Sequence, residues 1–343
     1  MIKSYLKKLL AGLNLTRSET AAVLDEVIDG ETTDAQIAAF LTALAIKGET
    51  VEELVGLVQV MRSRARSFQT RHTIYVDTAG TGGDGRGTFN ISTTAGFVVA
   101  GAGVAVAKHG NRAVSSLSGS ADVLSELGVR VVVSPEIATK CLDEIGICFM
   151  FAPAFHPATK RVAEIRRQLG FRTAFNLLGP LTNPAGTPRQ IVGVFAREYV
   201  DKCASVLAEL GAERAWVVWG EDGCGGGLDE ISLCGKTYVA EVIDARVDRF
   251  ELLPSDFGLK EVKLVEILGD TPLENAVKMK EILSGKQQGG LRSAVIASAA
   301  AALYIADAAP SLKDSVKLAE ESIDSGKAIE KLGLLAGYSQ QSD

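Results

Sequence analysis

Apolar residues recur at Ile2, Leu6, Leu9, Leu10 and Leu13, three and four apart, the spacing of one helix face. The starts of three further helices are marked chemically. Thr16 with Glu19, Thr33 with Gln36 and Thr50 with Glu53 each set a hydroxyl three residues before an acid or amide, the reciprocal pair of a capping box. Gly30 and Gly48 stand where the second and third helices should stop. Beyond Arg71 the period changes. Short β-branched and apolar runs predict strands at 74–77, 103–107, 129–133, 147–151, 191–195 and 215–219. Helical stretches at about 93–101, 120–127, 135–145, 158–169, 198–210, 272–284 and 290–308 fall between or after them. This alternation predicts an α/β fold with a mostly parallel central sheet covered by helices, preceded by a small all-helical domain. Within 222–270, Thr237–Val242 reads as an antiparallel edge or excursion.

Composition narrows the class. The chain has 343 residues, 47% hydrophobic and 23% charged, with a formal net charge of −6. That is an ordinary globule without the basic surface of a nucleic-acid or membrane binder. Lys7 and Lys8 interrupt the first leucine pattern, so it reads as an amphipathic helix and not as a signal peptide. No apolar run reaches a span of ~20 residues. The expected compartment is the cytoplasm. Five cysteines without a C-x-x-C pair read as reduced structural thiols. With only three histidines, a divalent ion would sit on oxygen ligands, as Mg²⁺ does.

The chemistry is concentrated between Asp77 and Gly128. A strand ending at Asp77 runs into Gly80, Gly82, Gly83, Gly85 and Gly87, and then into Ser92, Thr93 and Thr94 at a helix start. Glycines admit positive φ and let an anion approach the backbone amides, and a helix N-terminus favours phosphate. A second strand leads to Lys108-His109-Gly110-Asn111-Arg112, followed by Ser115, Ser116, Ser118 and Ser120 before another helix. Gly80, Gly82 and Gly85 match G-x-G-x-x-G, but no acidic residue follows at the dinucleotide-fold spacing, and there is no P-loop. Two other places carry chemistry. Arg166 falls on the apolar face of its helix with Val162 and Leu169, where a guanidinium suits either a planar carboxylate or snorkelling to water. Asp229-Glu230 follows Gly225-Gly226-Gly227, and suits either a bent metal loop or a solvated acidic pair.

In combination, GTGGDGRGTFNIST at 80–93, KHGNR at 108–112, SSLSGSADVL at 115–124, RTAFNLLGPLTNPA at 172–185 and GLDEIS at 227–232 are decisive. Over nearly its whole length the sequence resembles the anthranilate phosphoribosyltransferases, tryptophan-pathway members of the nucleoside phosphorylase-like family. The resemblance implies transfer of a phosphoribosyl group from phosphoribosyl diphosphate to the amine of anthranilate, with Mg²⁺ as cofactor. It implies a helical domain at 1–70 with a contribution from about 158–182, an α/β domain at 71–343, and a homodimer formed through the helical domain. It assigns Gly80, Gly83, Asp84, Thr88, Asn90, Ile91, Ser92, Thr93, Lys108, His109, Gly110, Asn111, Arg112, Ala113, Val114, Ser115, Ser116 and Ser120 to phosphoribosyl diphosphate. It assigns Ser92, Asp229 and Glu230 to Mg²⁺. Anthranilate falls to Gly80, Asn111 and Arg166, with His109 and His156 in or beside its route. No residue stands out as an acid–base catalyst; Lys108, Ser92 and Asp84 would stabilise the transition state and leaving group. The sequence departs from the family at Trp219, where a histidine is usual, and in an insertion around Cys224-Gly225-Gly226. A pyrimidine nucleoside phosphorylase would carry a KHGG-type loop in place of Asn111. A nucleic-acid-binding relative would show a basic face and damaged motifs.

Overall fold

The computed structural model describes residues 2–113 and 117–341. Four helices open the chain: α1 (Ile2–Leu10), α2 (Arg17–Ile28), α3 (Asp34–Lys47) and α4 (Val51–Ser63). All three capping boxes close with both of their hydrogen bonds, and Gly48 ends α3 at φ 81°. Val23, Leu24 and Val27 of α2 pack with Ile37, Phe40, Leu41 and Leu44 of α3 and Leu54, Val55 and Val58 of α4. Glu53 is fully buried among them. Its carboxylate accepts from the Leu15 amide at 2.8 Å, the Thr50 amide at 2.8 Å and Lys47 Nζ at 2.9 Å. One side chain thus caps α4 and ties down the α1–α2 loop.

The α/β part begins with β1 (Tyr75–Gly80), α5 (Ile91–Gly101), β2 (Ala105–Gly110), α6 (Ser120–Glu126), α7 (Pro135–Ile145) and β3 (Ile147–Phe151). Three helices follow, α8 (Ala152–Phe155), α9 (Lys160–Leu169) and α10 (Phe175–Leu181). The chain then returns through β4 (Arg189–Gly193), α11 (Tyr199–Glu209), β5 (Arg214–Glu221), β6 (Gly227–Leu228), β7 (Thr237–Ile243) and β8 (Arg246–Leu252). It ends in α12 (Pro272–Leu283), α13 (Gly290–Ile305), α14 (Leu312–Asp324) and α15 (Lys327–Ser339). The strand order is β3-β2-β1-β4-β5-β7-β8, with β6 beside β5. The first five of these pair in parallel, and β7 and β8 add an antiparallel edge. Even β3, at one edge of the sheet, is buried on both faces along Ile147–Met150, hence its apolar run. Helices α9 and α10 belong to the apolar cluster of the bundle, which continues onto β4 and β5 through Val192, Val194 and Val217.

The chain builds β1, β2 and β3 outward in one direction and β4 and β5 in the other. Between β1 and β4 the order reverses, which opens a crevice at the carboxyl ends of the strands. The expected strand at 129–133 does not form. Val129 and Val131 are buried, but the Arg130 amide donates to Ser339 Oγ at 2.9 Å, so this segment lies against α15. The expected helix at 158–169 starts as a 3₁₀ turn at Pro157–Thr159 and becomes α-helical at Lys160. α14 and α15 were not predicted.

Glu53→Ala should cost about 3 kcal/mol in urea unfolding, because it strands a buried ammonium and two amides. Glu52→Ala, one residue away on the exposed side, should cost less than about 0.5 kcal/mol. Equal effects would show that the buried carboxylate does not organise the bundle.

Candidate active site

Two strand ends frame the crevice. Gly80 closes β1 and Gly193 closes β4, opposite one another in register. The chain at Asp229 lies across both. A Cβ on Gly193 would sit 1.7 Å from the Asp229 carbonyl oxygen, and one on Gly80 would sit 2.2 Å from Asp229 Oδ2. Both glycines are therefore required by close approach. Gly82, Gly83, Gly85 and Gly87 are required by conformation, with φ from 66° to 78°. Their loop wraps the acidic residues: the Gly82 amide donates to Asp229 Oδ2 at 2.6 Å, and the Arg86 amide to Asp84 Oδ1 at 3.0 Å. The Asp229 amide faces Asp84 Oδ2 at 3.4 Å. Glu230 Oε1 accepts from the Ser92 amide at 3.1 Å, in the first turn of α5, where the helix dipole favours negative charge.

Asp84, Asp229 and Glu230 are thus neighbours, and among the described residues none has an ion pair. Burial pushes the Glu230 carboxyl up to about 7, against the Ser92 amide and Lys108. Burial and the adjacent carboxylates Asp84 and Glu230 push Asp229 well up. Among the described residues no three His, Cys, Asp or Glu side chains form a ready-made metal cluster. Lys108 is buried beneath the loop, where its Nζ donates to the Thr78 carbonyl. Burial lowers its pKa, opposed by Asp77 and Glu230. Asp77, raised to about 6 by burial, accepts from Asn183 Nδ2 at 2.7 Å and from the His109 amide at 3.3 Å.

The loop after β2 is held by Asp122. Its Oδ2 accepts from the Ala113 amide at 2.8 Å and the Gly119 amide at 3.1 Å, and its Oδ1 meets Arg112 Nη1 at 2.8 Å. Ser120 Oγ donates to the Asn111 carbonyl at 3.1 Å and accepts from the Asn111 amide at 3.2 Å. Asn90 gives its Nδ2 to the Ser118 carbonyl at 3.1 Å, while its Oδ1 accepts from Ser118 Oγ and Asn275 Nδ2. The side chains of Asn90 and Ser120, expected as ligands, therefore join loops. Gly83 offers its carbonyl to Arg172 Nη2, and Thr88 bridges to Leu268. Ile91 and Thr93 are buried in the start of α5. Gly110 lies tight against Ser120 and Phe149. The expected contacts at Val114, Ser115 and Ser116 lie outside the described residues.

Arg166 stands on α9. It is half-buried, has no ion pair among the described residues, and holds its guanidinium 5.7 Å from the Phe175 ring. Its Nε has no hydrogen-bond partner. Helix α10, which supplies Phe175, also fixes the histidines. His109 Nδ1 lies 3.0 Å from the Gly179 carbonyl, and His156 Nε2 lies 3.0 Å from the Thr182 carbonyl. Burial, and then His156, lowers His109 to about 3, so its ring is neutral. A neutral ring with Nδ1 against a carbonyl carries its proton there. Nε2 is left as a buried acceptor with no partner among the described residues.

Residues 3–65 match the helical bundle domain of the glycosyl transferase family, and residues 72–329 match its a/b domain. An anthranilate phosphoribosyltransferase from Anaeromyxobacter dehalogenans is 53% identical over 97% of both chains. The chain belongs to the anthranilate phosphoribosyltransferase family. The enzyme of that name from Moorella thermoacetica is 49% identical over 98% of both chains. The crystal structure from Thermus thermophilus has a TM-score of 0.91 at 41% identity, covering 98% of this chain and 99% of that one. A Saccharomyces cerevisiae member, in complex with PRPP and Mg, has a TM-score of 0.90 at 30% identity, covering 98% of this chain and 97% of that one.

Within this anthranilate phosphoribosyltransferase fold the motifs alone did not reveal the residues that hold the site. Asp77, Asn183, Asp122 and Arg172 touch the loops from beneath or from the side; the sequence shows them at a strand end or inside the motifs at 115–124 and 172–185, with no sign of their partners. The insertion at Cys224–Gly226 folds around Asp222, whose Oδ1 accepts from the Cys224 amide at 2.7 Å and the Gly226 amide at 2.9 Å. Trp219 stacks near Tyr238, with centroids 5.7 Å apart.

The raised carboxyls have a consequence for stability. A carboxyl whose folded pKa lies above its unfolded one destabilises the protein at higher pH, and the penalty fades as pH falls toward the unfolded pKa. Glu230→Gln should therefore raise the melting temperature of the ligand-free protein by about 2–5 °C at pH 8 and leave it nearly unchanged at pH 5. A lower melting point at pH 8 would mean that the Glu230 charge is well compensated.

Proposed function

We propose that this chain transfers the 5-phosphoribosyl group of phosphoribosyl diphosphate to the amine of anthranilate, giving N-(5-phosphoribosyl)anthranilate and diphosphate, in tryptophan biosynthesis. One observation carries the reading: three carboxylates with no ion pair among the described residues stand against a glycine-rich loop and a helix N-terminus shaped for phosphate. Acids beside a phosphate cradle require a bridging cation. Their uncompensated charge and all-oxygen chemistry fit Mg²⁺, which uses few protein ligands and completes its shell with water and substrate phosphate. Asp229 and Glu230, with Ser92, would hold it, and Asp84 would back them. When bound, the ion neutralises charge on the departing diphosphate.

The protein's own residues orient and stabilise. Amides of Gly80, Gly83 and the α5 start, with the loop from Lys108 to Ser120, receive the phosphates. Lys108 supports the carboxylates from below. Arg166, braced on Phe175, meets the anthranilate carboxylate beside Gly80 and Asn111, and His109 Nε2 accepts from its amine. The amine nitrogen attacks the anomeric carbon, the C–O bond to diphosphate breaks, and the nitrogen sheds a proton. An aromatic amine is neutral and already carries its lone pair, so positioning does most of the work. The retained Asn111 and the intact GTGGD and Asp229-Glu230 segments speak against the phosphorylase and nucleic-acid readings.

We also divide the chain at 70/71, with 158–182 joining the helical domain, and place the protein in the cytoplasm. No helix among the described residues is long and apolar enough to cross a membrane. Homodimerisation through the bundle is supported by Leu10, Leu13 and Ile46, which are 80%, 55% and 83% exposed.

The direct test is loss of anthranilate fluorescence with phosphoribosyl diphosphate and Mg²⁺; no turnover refutes the proposal. Arg166→Ala should raise the anthranilate KM about 10–100-fold with a much smaller change for the phosphoribosyl donor. The reverse pattern would remove Arg166 from the acceptor site. Leu10→Glu with Ile46→Glu should halve the mass seen by light scattering, and an unchanged dimer would place the interface elsewhere.

A further inference from the structure

We propose that Arg86 is a positioning residue for the phosphoribosyl donor, acting through Asp222 and the inserted Cys224–Gly226 turn. The inference rests on the phosphoribosyl-transfer reading. Arg86 belongs to the glycine-rich loop, and its Nε lies 2.9 Å from Asp222 Oδ2. Asp222 is fully buried, and Arg86 is its only ion-pair partner among the described residues. The Arg86 side chain stays partly exposed and the contact is one of charge and not a hydrogen bond, so it aligns the loop with Asp222 and does not clamp it. The other oxygen of Asp222 gathers the Cys224 and Gly226 amides, so one carboxylate meets both the loop and the inserted turn.

The contact depends on a missing side chain. A Cβ on Gly226 would lie 1.5 Å from Arg86 Nη2 and 2.9 Å from Asp222 Oδ2. The guanidinium thus fills the space that the insertion's last glycine leaves open. From Arg86 the order propagates to the acids. Its amide donates to Asp84 Oδ1 at 3.0 Å, and Asp84 Oδ2 faces the Asp229 amide at 3.4 Å. Asp229 in turn holds the Gly82 amide at 2.6 Å. The Arg86–Asp222 pair therefore sets the distance between the phosphate-binding amides and the acidic pair. It belongs to the segment where this chain departs from the usual short connection.

The test uses full-length protein and titrates phosphoribosyl diphosphate with Mg²⁺ calorimetrically, alongside steady-state kinetics and thermal melting. Arg86→Ala should weaken donor binding and raise donor KM about tenfold, with anthranilate KM and kcat within about threefold, and Arg86→Lys should recover part of the loss. Gly226→Ala retains both charged groups but pushes the guanidinium away, and should reproduce the Arg86→Ala loss. In an Asp222→Asn background, Arg86→Ala should add no further loss. Unchanged donor binding in Arg86→Ala overturns the inference, as do additive losses with Asp222→Asn or a silent Gly226→Ala. Turnover by the wild-type protein distinguishes these failures from failure of the underlying reaction assignment.

Discussion

Asp229 lies against the ends of two parallel strands with no room for a side chain on either. The site depends on that approach. It needs glycine at 80 and at 193, it needs β1 and β4 to be neighbours in register, and it needs the chain after β5 to turn back over them. Once made, it places Asp229 and Glu230 under the amides of Gly82 and Ser92. The glycine-rich loop then has backbone amides on one side and a group of acids on the other.

Such crowding has an electrostatic cost. Carboxyls drawn from water beside one another rise in pKa, and Lys108 from below offsets only part of it. The fold bears the strain because the surrounding strands and α13 form a large apolar core, with Val76, Trp216, Val218 and Val295 at its centre. A substrate complex that brings positive charge would relieve the crowding. Binding and local stability are therefore linked at these residues.

Helix α10 ties Arg166 and the two histidines to the base of the strand-end loops. This short helix braces Arg166 through Phe175, fixes His109 through Gly179 and ends at Thr182 beside His156. Asn183 follows at once and bonds both Asp77 and the Ala107 carbonyl. The same cluster of apolar residues joins α9 and α10 to the N-terminal bundle. A shift of the bundle against the sheet would therefore move the Arg166 guanidinium relative to the glycine-rich loop.

Much of this was legible in the chain because it is local. Capping boxes, glycines at positive φ and strand–helix alternation each involve residues within a few positions, so their physics is readable in order. The family motifs likewise singled out the glycine-rich loop, Arg166 and Asp229-Glu230 as candidates. What the sequence could not convey was partnership. Val129–Val133 has a strand's composition, yet it meets a helix about two hundred residues onward. The Asn90 and Ser120 side chains join loops that are far apart or only loosely related in sequence. Arg86 looks like a solvated loop arginine until Asp222 and Gly226 are folded beside it. By itself the sequence determined the elements and the chemical types at the site. Only the tertiary structure decided which carboxylate faces which amide, because those contacts join residues more than a hundred positions apart and exist only when β1, β4 and β5 lie side by side.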